Sequence, residues 1–207
     1  MRIEQLRRRR EFLKRTILLG MSAMSASTAA NPLRQGTGLL LPQYYASEQD
    51  AAEFWALPRT LNLHRKETGE HRIVCYWRDG QLDARGYREA CQLLRDVRAN
   101  QSVAMDIRLL NLLRGQQGWL EAAYGYREPY QVNSGYRSAH TNAQTEGAVK
   151  NSYHTKAMAA DGKYPDLPIE YQGRLLAAFR SGGVGLYVDS RKFIHTDVGG
   201  VRFWVSK

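Results

Sequence analysis

Long hydrophobic runs are missing from most of this 207-residue chain. Beyond residue 30 no apolar stretch approaches the roughly 20 residues that a membrane-crossing helix requires, so no such helix is expected there. Cysteine is scarce, with only Cys75 and Cys91, and a disulfide scaffold is not expected. Cys75 lies in an apolar strand-like run and Cys91 on the apolar face of a helix, and both read as small buried hydrophobes. Internal repeats and low-complexity tracts are absent. So are a nucleic-acid reader motif and a concentrated basic stripe, which argues against nucleic acid as a partner.

The formal charge of +10 overstates the basicity of the folded part. Arg7 to Arg10 lead into Glu11-Phe12-Leu13-Lys14, then the apolar TILLGMSAMSA, then small residues ending Ser27-Thr28-Ala29-Ala30. Basic, apolar, small is the order of a secretory signal. The word RRREFLK resembles the twin-arginine export signal, which implies the twin-arginine translocation machinery as a partner, folding before export, and a periplasmic address. Residues 1–30 are the expected signal peptide; they carry seven of the 30 basic and two of the 20 acidic residues. The mature chain keeps only a mild positive balance, which permits residence near anionic wall polymers.

Residues 31–58 read as a linker with a short helix over Ser47 to Trp55, ended by Pro58. The domain is expected over 59–207, one core's worth of chain and a monomer. Thr60 to His64 and Arg72 to Trp77 are strand-like. Asp83 to Asn100 reads as one amphipathic helix with Tyr87, Ala90, Cys91, Leu94 and Val97 on a face. Asp106 caps another, carrying Leu109, Leu110 and Leu113, whose end is blurred by Gly115 and Gly118. Tyr130 to Asn133 is strand-like, Ala139 to Asn151 an exposed loop, and Ala157 to Asp161 a strand. Pro168 opens a helix stopped by Gly182-Gly183. Val184 to Val188, Phe193 to Asp197 and Val201 to Val205 suggest an antiparallel meander. The class is α+β, a small antiparallel sheet flanked by helices.

The stretch SYHTKAMAAD places His154 seven residues before Asp161, and His195 sits on a later strand. Seven residues rise roughly 10.5 Å on a helix and over 20 Å on a strand, so a shared metal requires a bend between the two. Two histidines and an aspartate leave a tetrahedral zinc one open position for water, as catalytic zinc uses.

Four ordered words extend this: SGYRS at 134–138, NSYH at 151–154, AMAAD at 157–161 and HTDVGGVRFW at 195–204. Together they resemble the zinc D-Ala-D-Ala carboxypeptidase superfamily, hedgehog-like in fold, and within it the exported murein endopeptidase K branch. YWRDGQLD at 76–83 and Leu94-Arg95-Asp96 fit the same branch. The resemblance implies a zinc peptidase acting on peptidoglycan cross-links, with Zn2+ held by His154, Asp161 and His195. It implies that Arg137 binds substrate or stabilises an oxyanion, as an always-charged bidentate cation can. Ser138 belongs to the same word and is a candidate substrate contact. Ser152 either touches a ligand or caps its loop. His140 either touches substrate or is a solvated loop histidine. A non-catalytic peptidoglycan-binding module on the same fold is the competing reading.

Two positions depart from the family pattern. Ala157 stands where relatives keep glycine; this is costly if the backbone there needs positive φ and tolerable if only close packing is at stake. Lys192 stands where many relatives have an acid three residues before the last ligand. Asp197, two residues after His195 on the same strand face, is then the candidate general base, or else it orients a ligand from behind. His64 and His71 read as surface residues, and Tyr136, Tyr153 and Trp204 as packing around the site.

Overall fold

The computed structural model describes residues 48–190 and 192–206; the expected signal peptide and most of the expected linker fall outside them. Helix α1, Glu48–Ala56, is followed by β1, Arg59–Arg65, and β2, Glu70–Arg78, an antiparallel hairpin. The short β3, Gln81–Leu82, leads into α2, Ala84–Leu93, and α3, Ile107–Tyr124. After them come β4, Tyr130–Ser134, the helical turn α4, Ala139–Ala143, and a single 3-10 turn, Tyr153–Lys156. The chain closes with β5, Ala159–Lys163, α5, Ile169–Ala178, β6, Gly183–Tyr187, β7, Phe193–Asp197, and β8, Arg202–Ser206.

All eight strands join one sheet in the order β3-β2-β1-β4-β5-β7-β6-β8. It is larger than the small sheet read from sequence and only partly antiparallel, because β1–β4 and β6–β8 run parallel. The expected C-terminal meander is absent for a reason of edges. Strand β7 is bonded by β5 on one side and β6 on the other, so β8 can join only the free edge of β6. Residue alternation sends Ala160, Val184, Leu186 and Ile194 into the core, each buried, while Asp161 and His195 point to the opposite face. Full burial of Leu61, Leu63, Leu109, Leu110 and Leu113 stabilises the fold by roughly 2 kcal/mol per side chain.

Helix α2 stops at Leu93 instead of running to Asn100. Leu94 O accepts from Tyr136 N–H at 2.7 Å, and the buried Asp96 carboxylate accepts from Ala99 N–H at 3.1 Å and Ser138 N–H at 2.9 Å. Those bonds satisfy the backbone better than another helical turn would. Helix α3 behaves oppositely and runs through Gly115 and Gly118 to Gly125, left-handed at φ 65. The glycines admit α1: a Cβ at 118 would meet the Phe54 ring at 2.5 Å, and one at 115 would face Phe179 and Trp55. The end of the expected linker is thus packed against the domain. The expected loop after SGYRS begins as α4, capped by the Ser138 hydroxyl, which accepts from Thr141 N–H at 3.1 Å. Cys75 and Cys91 are free thiols; Cys91 is buried as expected, while Cys75 is only half-buried. Among the described residues no helix is long and apolar enough to cross a membrane.

Strand β5 starts at Ala159, two residues later than read from sequence, because Ala157 closes the 3-10 turn with φ 57 and ψ 29. This supplies the bend that a shared ligand pair requires. A left-handed alanine costs about 1–2 kcal/mol, but its methyl is buried in the core, which returns about 0.8 kcal/mol. Glycine would also lose about 0.4–1 kcal/mol through the unfolded chain. Ala157→Gly is therefore expected to change stability by less than about 1 kcal/mol in urea unfolding. Ala157→Val, β-branched at positive φ, should lose at least about 2 kcal/mol.

Candidate metal centre

Asp161 and His195 are directly paired across β5 and β7, so the sheet itself holds two of the three expected ligands side by side. His154 reaches them from the 3-10 turn. Its Nε2 lies 3.1 Å from Asp161 Oδ1 and 3.1 Å from His195 Nδ1, and His195 Nδ1 lies 2.9 Å from Asp161 Oδ1. All three residues can present one ligand atom within 4.8 Å of the others. Two nitrogens on one tetrahedral zinc would stand about 3.3 Å apart, close to the separation seen.

The outer edges of the rings decide which atoms face inward. His154 Nδ1 donates to Gly135 O at 2.6 Å; a carbonyl only accepts, so in the neutral ring the proton is on Nδ1 and Nε2 keeps its lone pair. His195 Nε2 donates to Asp197 Oδ2 at 2.9 Å, which leaves Nδ1 as the inward atom. Arg137 Nη2 donates to Asp161 Oδ2 at 2.7 Å while its Nε holds Ser134 Oγ at 3.1 Å. The outer oxygen of Asp161 is thereby taken and Oδ1 is aimed at the two histidines. Two imidazole nitrogens and one carboxylate oxygen thus converge within bonding range of one another. A divalent cation fits this donor set, and the outer partners are those that metal-ligating histidines use.

Burial alone would raise the Asp161 carboxyl, but the charge and hydrogen bonds of His154 and His195 reverse this and hold it well below the ordinary carboxylate range. Burial likewise opposes charge on His195, yet its bonds to Asp161 and Asp197 push it up to about 9. Asp197 is raised by burial but brought down to about 2 by its bonds from His195, Gly199 N–H and Arg202.

Asp197 is bonded to the outer nitrogen of His195. It is fully buried and lies on the ring edge of His195 that faces away from the ligand cluster. Oδ1 accepts from Gly183 N–H at 3.2 Å, Gly199 N–H at 2.8 Å and Arg202 Nη1 at 3.2 Å. Oδ2 accepts from His195 and from Arg202 Nη2 at 2.6 Å. The arrangement is the one that the orienting alternative requires. Lys192 is exposed in the turn before β7 with φ 42.

A family model described as peptidoglycan L,D-endopeptidase MepK matches residues 53–204. The chain belongs to this family. The peptidoglycan L,D-endopeptidase MepK of Escherichia coli strain K12 is 37% identical over 156 residues, covering 71% of this chain and 80% of that protein. The same figures hold for the protein of that name in Shigella flexneri. The probable peptidoglycan L,D-endopeptidase MepK of Haemophilus influenzae is 34% identical over 151 residues, 70% of this chain and 76% of its own.

The span matched by the MepK family contains every candidate site residue, but the structure does not gather all of them. Arg137 joins the cluster through Asp161. The Ser152 hydroxyl caps the 3-10 turn, accepting from His154 N–H at 3.3 Å, so of its two alternatives the cap is what the structure shows. Ser138 spends its hydroxyl on α4 and its N–H on Asp96; it positions the SGYRS segment. His140 is exposed on α4, with no bond tying it to the cluster. Reasoning from sequence missed Asp96, Ser134, the Gly135 carbonyl and Arg202, although all four lie inside the quoted words. Arg202 is flanked by the rings of Tyr153 and Trp204 at 5.1 and 5.2 Å. Trp204 in turn lies 5.5 Å from His195, where Gly185 leaves it room.

Proton and metal compete for His195 Nδ1. In the metal-free protein that site holds its proton below a pKa of about 9, so metal uptake must displace it. Zinc affinity, measured by chelator competition, is expected to rise about tenfold per pH unit between pH 6 and 8. An affinity independent of pH over that range would contradict the assignment.

Proposed function

We propose that this protein is a zinc-dependent peptidoglycan endopeptidase that cuts peptide cross-links of the cell wall. The observation that carries the reading is the inward-facing His154–Asp161–His195 set on the sheet face opposite Ala160 and Ile194, with the outer atoms of all three already bonded. Membership of a family whose relatives are named peptidoglycan L,D-endopeptidases supports the substrate class. Zinc, when bound, polarises a carbonyl and lowers the pKa of a coordinated water toward neutrality.

The residues of the chain divide the remaining work. His154, Asp161 and His195 would hold the ion. The Gly135 carbonyl and Asp197 fix the two imidazoles in the tautomers that keep a lone pair inward. Arg137 fixes the Asp161 carboxylate, and its charge beside the cluster favours an anionic oxygen or a substrate carboxylate there. The guanidinium of Arg202 offsets the buried charge of Asp197, which would otherwise be expensive to keep ionised. The proposal includes export by the twin-arginine route to the periplasm, on the strength of RRREFLK.

Incubation of the mature protein with cross-linked muropeptides, followed by chromatography and mass spectrometry, tests the reading. With stoichiometric zinc, cross-linked dimers should convert to uncross-linked products. Chelation or His154→Ala should lower the rate by at least about a thousandfold. Binding to peptidoglycan without cleavage in the presence of zinc would instead establish the non-catalytic module.

A further inference from the structure

The sheet face that carries the metal row has a second row of side chains beside it. Lys163 is two residues beyond Asp161 on β5, and Phe193 two residues before His195 on β7, so both share the face of the ligands. The pairing of Gly162 with Ile194 sets Lys163 against Phe193 across the two strands. Phe193 pairs with Tyr187 of β6, and their rings stack at 4.3 Å with an interplanar angle of 9°. Lys192 enters β7 just before Phe193 and is exposed. Lys66 follows β1, its N–H donating to Val132 O of β4 at 3.4 Å, and is exposed too. Burial, and after it the charges of Lys66 and Lys192, holds the Lys163 ammonium below the usual lysine range. Among the described residues none of the three lysines is in an ion pair.

Three like charges with no ion-pair partner among the described residues raise the local potential and attract anions. Here they stand against an apolar ring stack, one row from the metal cluster. We propose that Lys66, Lys163 and Lys192, beside the Tyr187–Phe193 stack, form a subsite for the free carboxylates of the substrate's peptide strands. This rests on the endopeptidase reading and names the part of that site that grips substrate. A substrate with ammonium groups alone would be repelled. A peptide with free carboxylates gains from each lysine while its aliphatic parts cover the rings. Lys192, at the position where the resemblance places an acid, reverses the charge there and makes this anion preference a property of this chain.

Fluorescent cross-linked muropeptide is compared with the same peptide after amidation of its carboxylates, using anisotropy on the zinc-loaded protein read before turnover. The unsubstituted protein should bind the carboxylate form about tenfold more tightly at low salt, a few-fold for each exposed pair, with the difference shrinking at high salt. Lys163→Gln should reduce that preference to about threefold or less. So should the double variant Lys66→Gln/Lys192→Gln, whose exposed sites leave folding unaffected. A preference retained in both variants, or absent from the unsubstituted protein, would overturn the subsite. If the protein cleaves nothing, the endopeptidase reading falls while this binding contrast remains readable.

Discussion

Three electron-pair acceptors held about 3 Å apart repel one another unless something positive stands between them. His154 Nε2, Asp161 Oδ1 and His195 Nδ1 are in that position, and each is denied the simplest escape. His154 cannot turn its ring without losing the bond to Gly135, nor His195 without losing Asp197. Asp161 is held by Arg137 and by its place in a central strand. The local structure around the centre serves this constraint, from the cross-strand pair Asp161–His195 to the tight turn that returns His154 over the sheet.

The constraint explains why polar residues are buried where they are. Asp96, Asp161 and Asp197 are all buried carboxylates, which only extensive hydrogen bonding makes tolerable. Asp96 collects backbone N–H groups and thereby ends α2, which frees Leu94 O to anchor Tyr136 and the SGYRS segment. That segment then delivers both the Gly135 carbonyl to His154 and Arg137 to Asp161. The left-handed Ala157 is the strained point of the same circuit, and its buried methyl limits the penalty. One continuous set of bonds therefore links the end of α2 to the ligand cluster.

Much of this was legible in the chain itself. The bend between His154 and Asp161 follows from their spacing, because no regular element brings residues seven apart onto one ion. The cap at Asp106 and the proline start of α5 were readable from local chemistry. The partner of each outer atom was not. Strand alternation places His195 and Asp197 on one face, but which imidazole nitrogen meets the carboxylate depends on how the ring turns under Trp204 and Arg202. Glycines in α3 read as breaks because their partners, Phe54 and Trp55, come from far away in sequence. The eight-stranded order could not be read either, since β8 chooses its edge only after β5 has occupied β7.

The central claim is that Asp197 acts through His195 on the metal and takes no proton from water. Zinc affinity and zinc-saturated activity of Asp197→Asn, measured on protein that still unfolds cooperatively, test it most directly. The expected result is a 10- to 100-fold loss of zinc affinity, with much of the activity recovered when zinc is saturating. Zinc affinity equal to that of the unsubstituted protein, with activity abolished even at saturation, would contradict it and return Asp197 to the role of base.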